Sequence, residues 1–206
     1  MNQIHKTINT HHACNETIKT INTHHACNET IKTIYARHTC RAYTGELPPD
    51  DKLQVIAQAA LAAPSAMNRQ PWRVIVVKDR ALITELESEG LARIQAEPDQ
   101  TTWERLKSRG GTLFYNAPCL LVIASDNAPA DCGILAQTAA LAATSLGVDN
   151  CICGLAGAAF GGERGDEFKQ RLGFPAGYQH GLTLLLGYGK EAGQGHELDH
   201  AKLLWR

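Results

Sequence analysis

The sequence has no surplus of charge: 20 Lys plus Arg stand against 21 Asp plus Glu, a formal net charge of -1. With neither sign in excess there is no bulk electrostatic reason to bind nucleic acid or an anionic membrane surface. Long apolar runs are also missing. None approaches the ~20 residues that a membrane-spanning helix needs, and the Asn-, Thr- and His-rich start has no apolar segment of the secretory kind. There is no Cys-x-x-Cys pair. The seven cysteines (Cys14, Cys27, Cys40, Cys119, Cys132, Cys151 and Cys153) are an odd number, which argues against a disulfide framework. The plain reading is a cytoplasmic protein with reduced thiols and no membrane partner. Aromatics are sparse at 6%, but 44% of residues are hydrophobic, with 18 Gly and 8 Pro. That composition excludes a disordered or collagen-like chain. The length of 206 residues suits one domain of ~150 residues plus an appendage, with a core that needs no staples.

The appendage is visible as a duplication. Lys6 to Ile21 (KTINTHHACNETIKTI) recurs residue for residue from Lys19 to Ile34, and a third, diverged unit begins at Lys32. A shift of 13 residues turns a helix by about 220° at ~100° per residue, so successive copies do not share a face. His11, His12 and Cys14 recur as His24, His25 and Cys27, side-chain types that bind zinc or copper. Adjacent histidines followed by a lone cysteine are not paired ligands at a finger spacing. The copies therefore read as a poorly ordered, solvated appendage over residues 1–27, with no metal site, and the domain proper occupies 28–206. Ile31, Ile34 and Tyr35 are placed to form a short helix leading into it.

The remainder alternates helical and strand patterns. Pro48-Pro49-Asp50 predicts a helix start with Asp50 as its cap, carried by Leu53, Ile56, Ala60 and Leu61 and closed by Pro64. Trp72 to Val77 is a β-branched strand. Ala81 to about Gln95 and Thr101 to Arg109 read as helices. Ala117 to Ala124 is a continuous apolar strand, to be covered on both faces. Asp131 to Leu146 is a buried helix, Cys151–Cys153 a short extended segment, Ala156 to Gly165 a loop with four glycines, Asp166 to Leu172 a short helix and Leu182 to Leu186 another strand. The order predicts a layered α/β or α+β fold.

Two segments carry unusual chemistry. Arg37-His38-Thr39-Cys40-Arg41 flanks a hydroxyl with two guanidiniums, a compact set of donors for an anion, although such a cluster also suits a solvated helix end. Pro64-Ser65-Ala66-Met67-Asn68-Arg69-Gln70-Pro71-Trp72 places hydroxyl and amide groups between two prolines. That suits a flat heterocycle needing both donors and acceptors, or a helix-to-strand turn that caps itself.

Taken as a set, RHTCRAY, then APSAMNRQPW about 20 residues on with a strand directly after, then APCLLVIAS, DCGILAQTAALAATSLGVDNCICG and FKQRLGFPAGYQHGLTLLLGYG, resemble the nitroreductase family of flavin enzymes from about Asn28 to Trp205. The resemblance implies an α+β fold, a three-layer α/β/α sandwich. Its central mixed, largely antiparallel sheet is flanked by helices, and two copies form an obligate-type homodimer with FMN at the interface. It implies that Arg37, His38 (through its backbone), Thr39 and Arg41 hold the phosphate and ribityl chain, while Pro64, Ser65, Ala66 and Asn68 approach from the other subunit. Asp131 matches a position contacting the ribityl or ring edge, and Cys153 and Gly154 match the segment passing the reactive ring. His196 stands where many relatives place a tail Lys or Arg, a weaker and pH-dependent contact. Cys153, acidic in one branch of the family, is expected to pack.

The implied activity is that of an FMN-dependent oxidoreductase. It takes hydride from NAD(P)H and passes two electrons to nitroaromatic, quinone or similar flat acceptors by a ping-pong scheme. The cofactor carries the chemistry, so no side chain is a catalytic nucleophile or base. The alternative is a non-catalytic flavin-binding or redox-sensing protein of the same fold.

Overall fold

In a computed structural model of the chain, residues 28–206 are described. The appendage and its histidine and cysteine repeats up to residue 27 lie outside the described residues.

The chain opens with helix α1 (Glu29–Ala36), whose start is fixed by the Asn28 side chain accepting from the Ile31 N–H at 3.0 Å. The short helix expected around Ile31, Ile34 and Tyr35 is therefore present. Helix α2 (Asp50–Leu61) follows the two prolines. Asp50 is not its cap, as expected from sequence, but its first residue. Pro49 occupies the cap position in an extended conformation, and its fixed φ presets the turn without a side-chain bond. Asp50 and Asp51 instead complement the positive end of the helix.

Strand β1 (Trp72–Val77) comes next, then helix α3 (Arg80–Ala96), capped by Asp79. Helix α4 (Thr101–Lys107), strand β2 (Cys119–Ser125) and helix α5 (Pro129–Ser145) follow. The last regular elements are strand β3 (Asp149–Cys153), helix α6 (Gly165–Arg171) and strand β4 (Gln179–Gly187). The glycine-rich stretch expected to be a loop begins instead with a 3-10 helix, Gly154–Phe160. Ala156, Ala159 and Phe160 return at helical spacing and bury themselves in the core, which outweighs the low propensity of the glycines.

The four strands form one sheet in the order β1-β2-β4-β3. Expected to be mixed and largely antiparallel, it is antiparallel at each of its three pairings. Every residue of β2 is buried, because the strand is central and covered twice. Cys119, Leu121 and Ile123 point into a cluster with Leu53, Ile56 and Ala60 of α2 and the alanine face of α5. Leu120 and Val122 point the other way, into a cluster with Leu82, Leu86 and Ile94 of α3, Phe160 and Phe168. A continuous apolar run here reflects helices on both faces, the α/β/α layering expected, rather than parallel pairing. Among the described residues no helix is long and apolar enough to cross a membrane.

The register defines two ends of the sheet. Trp72, Ser125 and Gln179 meet at one, and Val77, Cys119, Gly187 and Asp149 at the other. Strand β3, at an edge, runs from the second towards the first.

Candidate functional site

The arginine-bearing segment owes its shape to two buried anchors. After α1 the chain becomes extended at Arg37. Cys40 donates its N–H to the Asn150 carbonyl at 2.9 Å, Tyr43 bridges Gly189, and the Lys190 N–H returns to the Ala42 carbonyl at 2.9 Å. Tyr43 is wholly buried, with its hydroxyl donating to the Leu185 carbonyl at 3.3 Å. With Cys40 and Tyr43 turned inward, Thr39 and Arg41 are left towards solvent. There they join Arg37, His38, Gln194 and His196 around a pocket of about 240 Å³. No carboxylate lines it, and among the described residues neither guanidinium belongs to an ion pair. Two unpaired guanidiniums, a hydroxyl and an amide make a concave donor set with room for a phosphate-sized anion.

His196, expected to replace a tail cation, does reach this pocket. Gln194 lines it too, and no pattern in the sequence marks that residue. Asp149 was also missed, and it organises the rim. Its Oδ1 lies 3.3 Å from His38 Nε2, and its Oδ2 accepts the Gly189 N–H at 2.7 Å.

The second expected group gathers at the other end of α5. The Ala66 N–H donates to Asp131 Oδ1 at 3.2 Å, which brings Asp131 into the 64–70 loop. Ser65 Oγ accepts from the Gln70 N–H at 2.9 Å, and Asn68 Oδ1 accepts from Gln70 Nε2 at 3.0 Å. The Ser65 acceptor is thus engaged within the loop, while the Asn68 amide group keeps its donors. Met67, Asn68 and Gln70 all have positive φ, near 50°, an uncommon and strained arrangement for residues other than glycine. Arg69 ties the loop to Asp126 at 2.7 Å. Pro64, Ala66 and Asn68 are exposed.

Within one chain these two groups are not brought together. Asp131 lies in the first turn of α5, whereas Asp149, against His38, follows its far end. The helix from Asp131 to Ser145 alone spans about 21 Å at ~1.5 Å per residue.

Cys153 and Gly154 close β3 between them. The Cys153 thiol is buried in the core and faces the Leu113 carbonyl, which matches the packing role expected of it and leaves only backbone at this position. Gly154 is exposed, and a side chain there would meet only Leu182. Burial raises the pKa of all five described thiols, to about 12 for Cys119 and Cys151, so none is a ready nucleophile. Near Gly154, His180 stacks on Phe160 with centroids 4.9 Å apart, and Phe160 stacks in turn on Phe174 at 5.3 Å. Burial lowers the His180 pKa to about 4, so the ring is neutral, and its Nε2 pairs with Thr183 Oγ1 at 2.9 Å. Among the described residues no cluster of His, Cys, Asp or Glu is arranged to hold a metal.

Comparison with known proteins bears on this arrangement. A model of the Nitroreductase family matches residues 34–190. The structure of a nitroreductase with bound FMN from Desulfitobacterium hafniense DCB-2 aligns with a TM-score of 0.84 and 50% identity, covering 87% of this chain and 98% of that one. A second nitroreductase with bound FMN, from Bacteroides fragilis, aligns with a TM-score of 0.79 and 25% identity, covering 87% and 99%. A protein of Archaeoglobus fulgidus, which carries the provisional name NADH dehydrogenase/NAD(P)H nitroreductase, is 29% identical over 159 residues, 77% of this chain and 84% of its own.

Proposed function

The chain belongs to the nitroreductase family, and we propose that within it the protein is an FMN-dependent oxidoreductase. The proposed reaction takes hydride from NAD(P)H and delivers two electrons to a flat acceptor such as a nitroaromatic or quinone, the two ligands using one pocket in turn. The observation that carries this reading is the carboxylate-free pocket of Arg37, Thr39 and Arg41, with Gln194 and His196. It presents donors and positive charge without a protein partner, which suits the phosphate of FMN.

When bound, FMN supplies the two-electron chemistry. The chain's own residues bind and orient. Arg37 and Arg41 neutralise the phosphate, and Thr39 adds a hydroxyl donor. Gly154 carries no side chain of its own and is exposed, so its backbone would be open to a planar ring, with Leu182 beside it. Pro64, Ser65, Ala66, Asn68 and Asp131 form the complementary rim.

Because about 21 Å of α5 lies between Asp131 and the end of the helix nearer Asp149 and His38, we assign that rim to the site of a second copy. Exposed apolar groups support a homodimer: Met67 is 88% exposed, Trp205 85% and Leu204 69%. Cytoplasmic placement accords with five buried, unpaired thiols among the described residues. NAD(P)H as donor draws support from the name of the archaeal relative.

The test is an absorbance spectrum of the purified full chain with added FMN, before and after anaerobic NADH or NADPH. Flavin bands that bleach, and recover when menadione or nitrofurazone is added, are expected. Bands that neither donor bleaches would replace the reductase with a non-catalytic flavin-binding or redox-sensing protein.

A further inference from the structure

The His38 side chain is the one group at the anion pocket whose surroundings the phosphate-binding role does not account for. Both of its ring nitrogens face oxygen acceptors. Nδ1 lies 3.3 Å from the Ala36 carbonyl, one of the unpaired carbonyls at the end of α1, and Nε2 lies 3.3 Å from Asp149 Oδ1. Neither a carbonyl nor a carboxylate has a proton to give. A neutral imidazole donates from only one nitrogen, so both contacts are hydrogen bonds only in the imidazolium. The negative end of α1 favours the same charged form.

Asp149 in turn takes the Gly189 N–H on its other oxygen at 2.7 Å. Gly189 begins the segment that leads to Gln194 and His196. That segment crosses directly over the imidazole: a side chain at Gly193 would collide with the His38 ring. The ring is therefore enclosed by its own loop, by the start of β3 and by the tail, with 18% of its side-chain surface exposed.

We propose that His38, as an imidazolium hydrogen-bonded to Asp149, is a positioning residue that fastens residues 189–196 over the anion pocket, so that the pocket closes on its phosphate when His38 is protonated and loosens when it is not. The phosphate part of this statement rests on the FMN reading, and the fastening of the tail does not. The charged and titratable groups around the ring are Arg37 and Arg41 of its own loop, the buried Cys40 thiol, Asp149 of β3 and His196 of the tail. The hydrogen bond to Asp149 is the largest influence and raises the His38 pKa, against burial and Arg37, which lower it. A raised folded-state value means that the fastening is complete below the ordinary imidazole pKa of about 6.5 and is lost as pH rises through the raised value.

The experiment is hydrogen exchange of the tail amides in the full chain without FMN, at about pH 6 and about pH 9, corrected for the intrinsic rate change. Protection over 189–196 should fall about tenfold or more at the higher pH, while β2 and β4 stay protected, a change equivalent to about 1.4 kcal/mol of local opening. His38→Gln should lose this pH dependence, and Asp149→Asn should leave the tail open at both pH values. Equal tail protection at the two pH values in the wild type, or the same pH dependence persisting in His38→Gln, overturns the proposal. If His38→Gln does not fold, the wild type and Asp149→Asn decide it alone.

FMN affinity, read with riboflavin as control, should weaken between about pH 7 and about pH 9, a range in which phosphate is already at least about nine-tenths dianionic, its second pKa being about 6. A pH-dependent tail in a protein that binds no FMN supports the fastening and removes the cofactor reading. FMN binding with a pH-independent tail does the reverse.

Discussion

Replacing Arg37 or Arg41 by alanine tests the assignment of the anion pocket most directly. Each guanidinium lines the pocket, and neither is in an ion pair among the described residues, so truncation removes a contact to the ligand without stranding a buried protein charge. A charge-assisted hydrogen bond to phosphate is worth ~1.5–3 kcal/mol. Arg41 is exposed and Arg37 partly so, which places both towards the lower end, where solvent and salt screen them. One substitution should therefore weaken FMN about tenfold. The double variant should fall short of the product of the two, because both side chains act on one phosphate. Riboflavin, which lacks that phosphate, should bind each variant about as well as the wild type. Fluorescence titration of both ligands, at low and at physiological salt, measures the difference. Equal losses for FMN and riboflavin, or no loss for FMN, would refute the reasoning and move the phosphate elsewhere.

Two further expectations concern stability. Burial holds the His180 pKa near 4, so the neutral ring contributes stability that is full above the unfolded value of about 6.5 and is lost as pH falls from there towards about 4, by up to about 3 kcal/mol; His180→Leu should flatten the urea midpoint across this range, and an unchanged slope would contradict the burial argument. Gly165→Ala should destabilise the fold by about 1–3 kcal/mol, because its Cβ would press on the Phe160 carbonyl, which is backbone and cannot turn aside; a melting temperature equal to that of the wild type would count against it.

The layering was legible because each strand and helix carries its own period. Trp72–Val77 is β-branched with Arg73 its one polar residue, the run from Cys119 to Ala124 has no polar interruption, and the alanine-rich stretch of α5 is too long for a strand. The strands' order and direction were not legible from residues, since a run buried on both faces fits parallel and antiparallel pairing equally. The helical turn at Gly154–Phe160 was hidden by its glycines, because the buried Ala156, Ala159 and Phe160 that stabilise it are ordinary residues out of context. At the site, Arg37 and Arg41 could be read from their own chemistry. Asp149 and Gln194 could not, because they matter only through contacts made by a tail more than 30 residues away in sequence or by a strand edge.

The distance along α5 has a consequence for how the site must be built. If each site combines the arginine loop of one copy with the 64–68 rim of another, two different defects can be placed in separate chains. Arg41→Ala removes a phosphate contact. Asn68→Asp keeps a residue type that tolerates positive φ, but exchanges the free amide donor for a carboxylate. A mixed dimer of the two variants would contain one site with both defects and one site with neither. Were every site made within a single chain, each would keep one defect and none would be restored. Refolding the two variants together, with separate tags to isolate the mixed dimer, should therefore recover tight FMN binding at about half of the sites, as statistics of shared sites require. Recovery absent from a mixed dimer of demonstrated composition would place the whole site in one chain, and the Ser65–Asn68 loop would then have to move across the length of α5 to reach it.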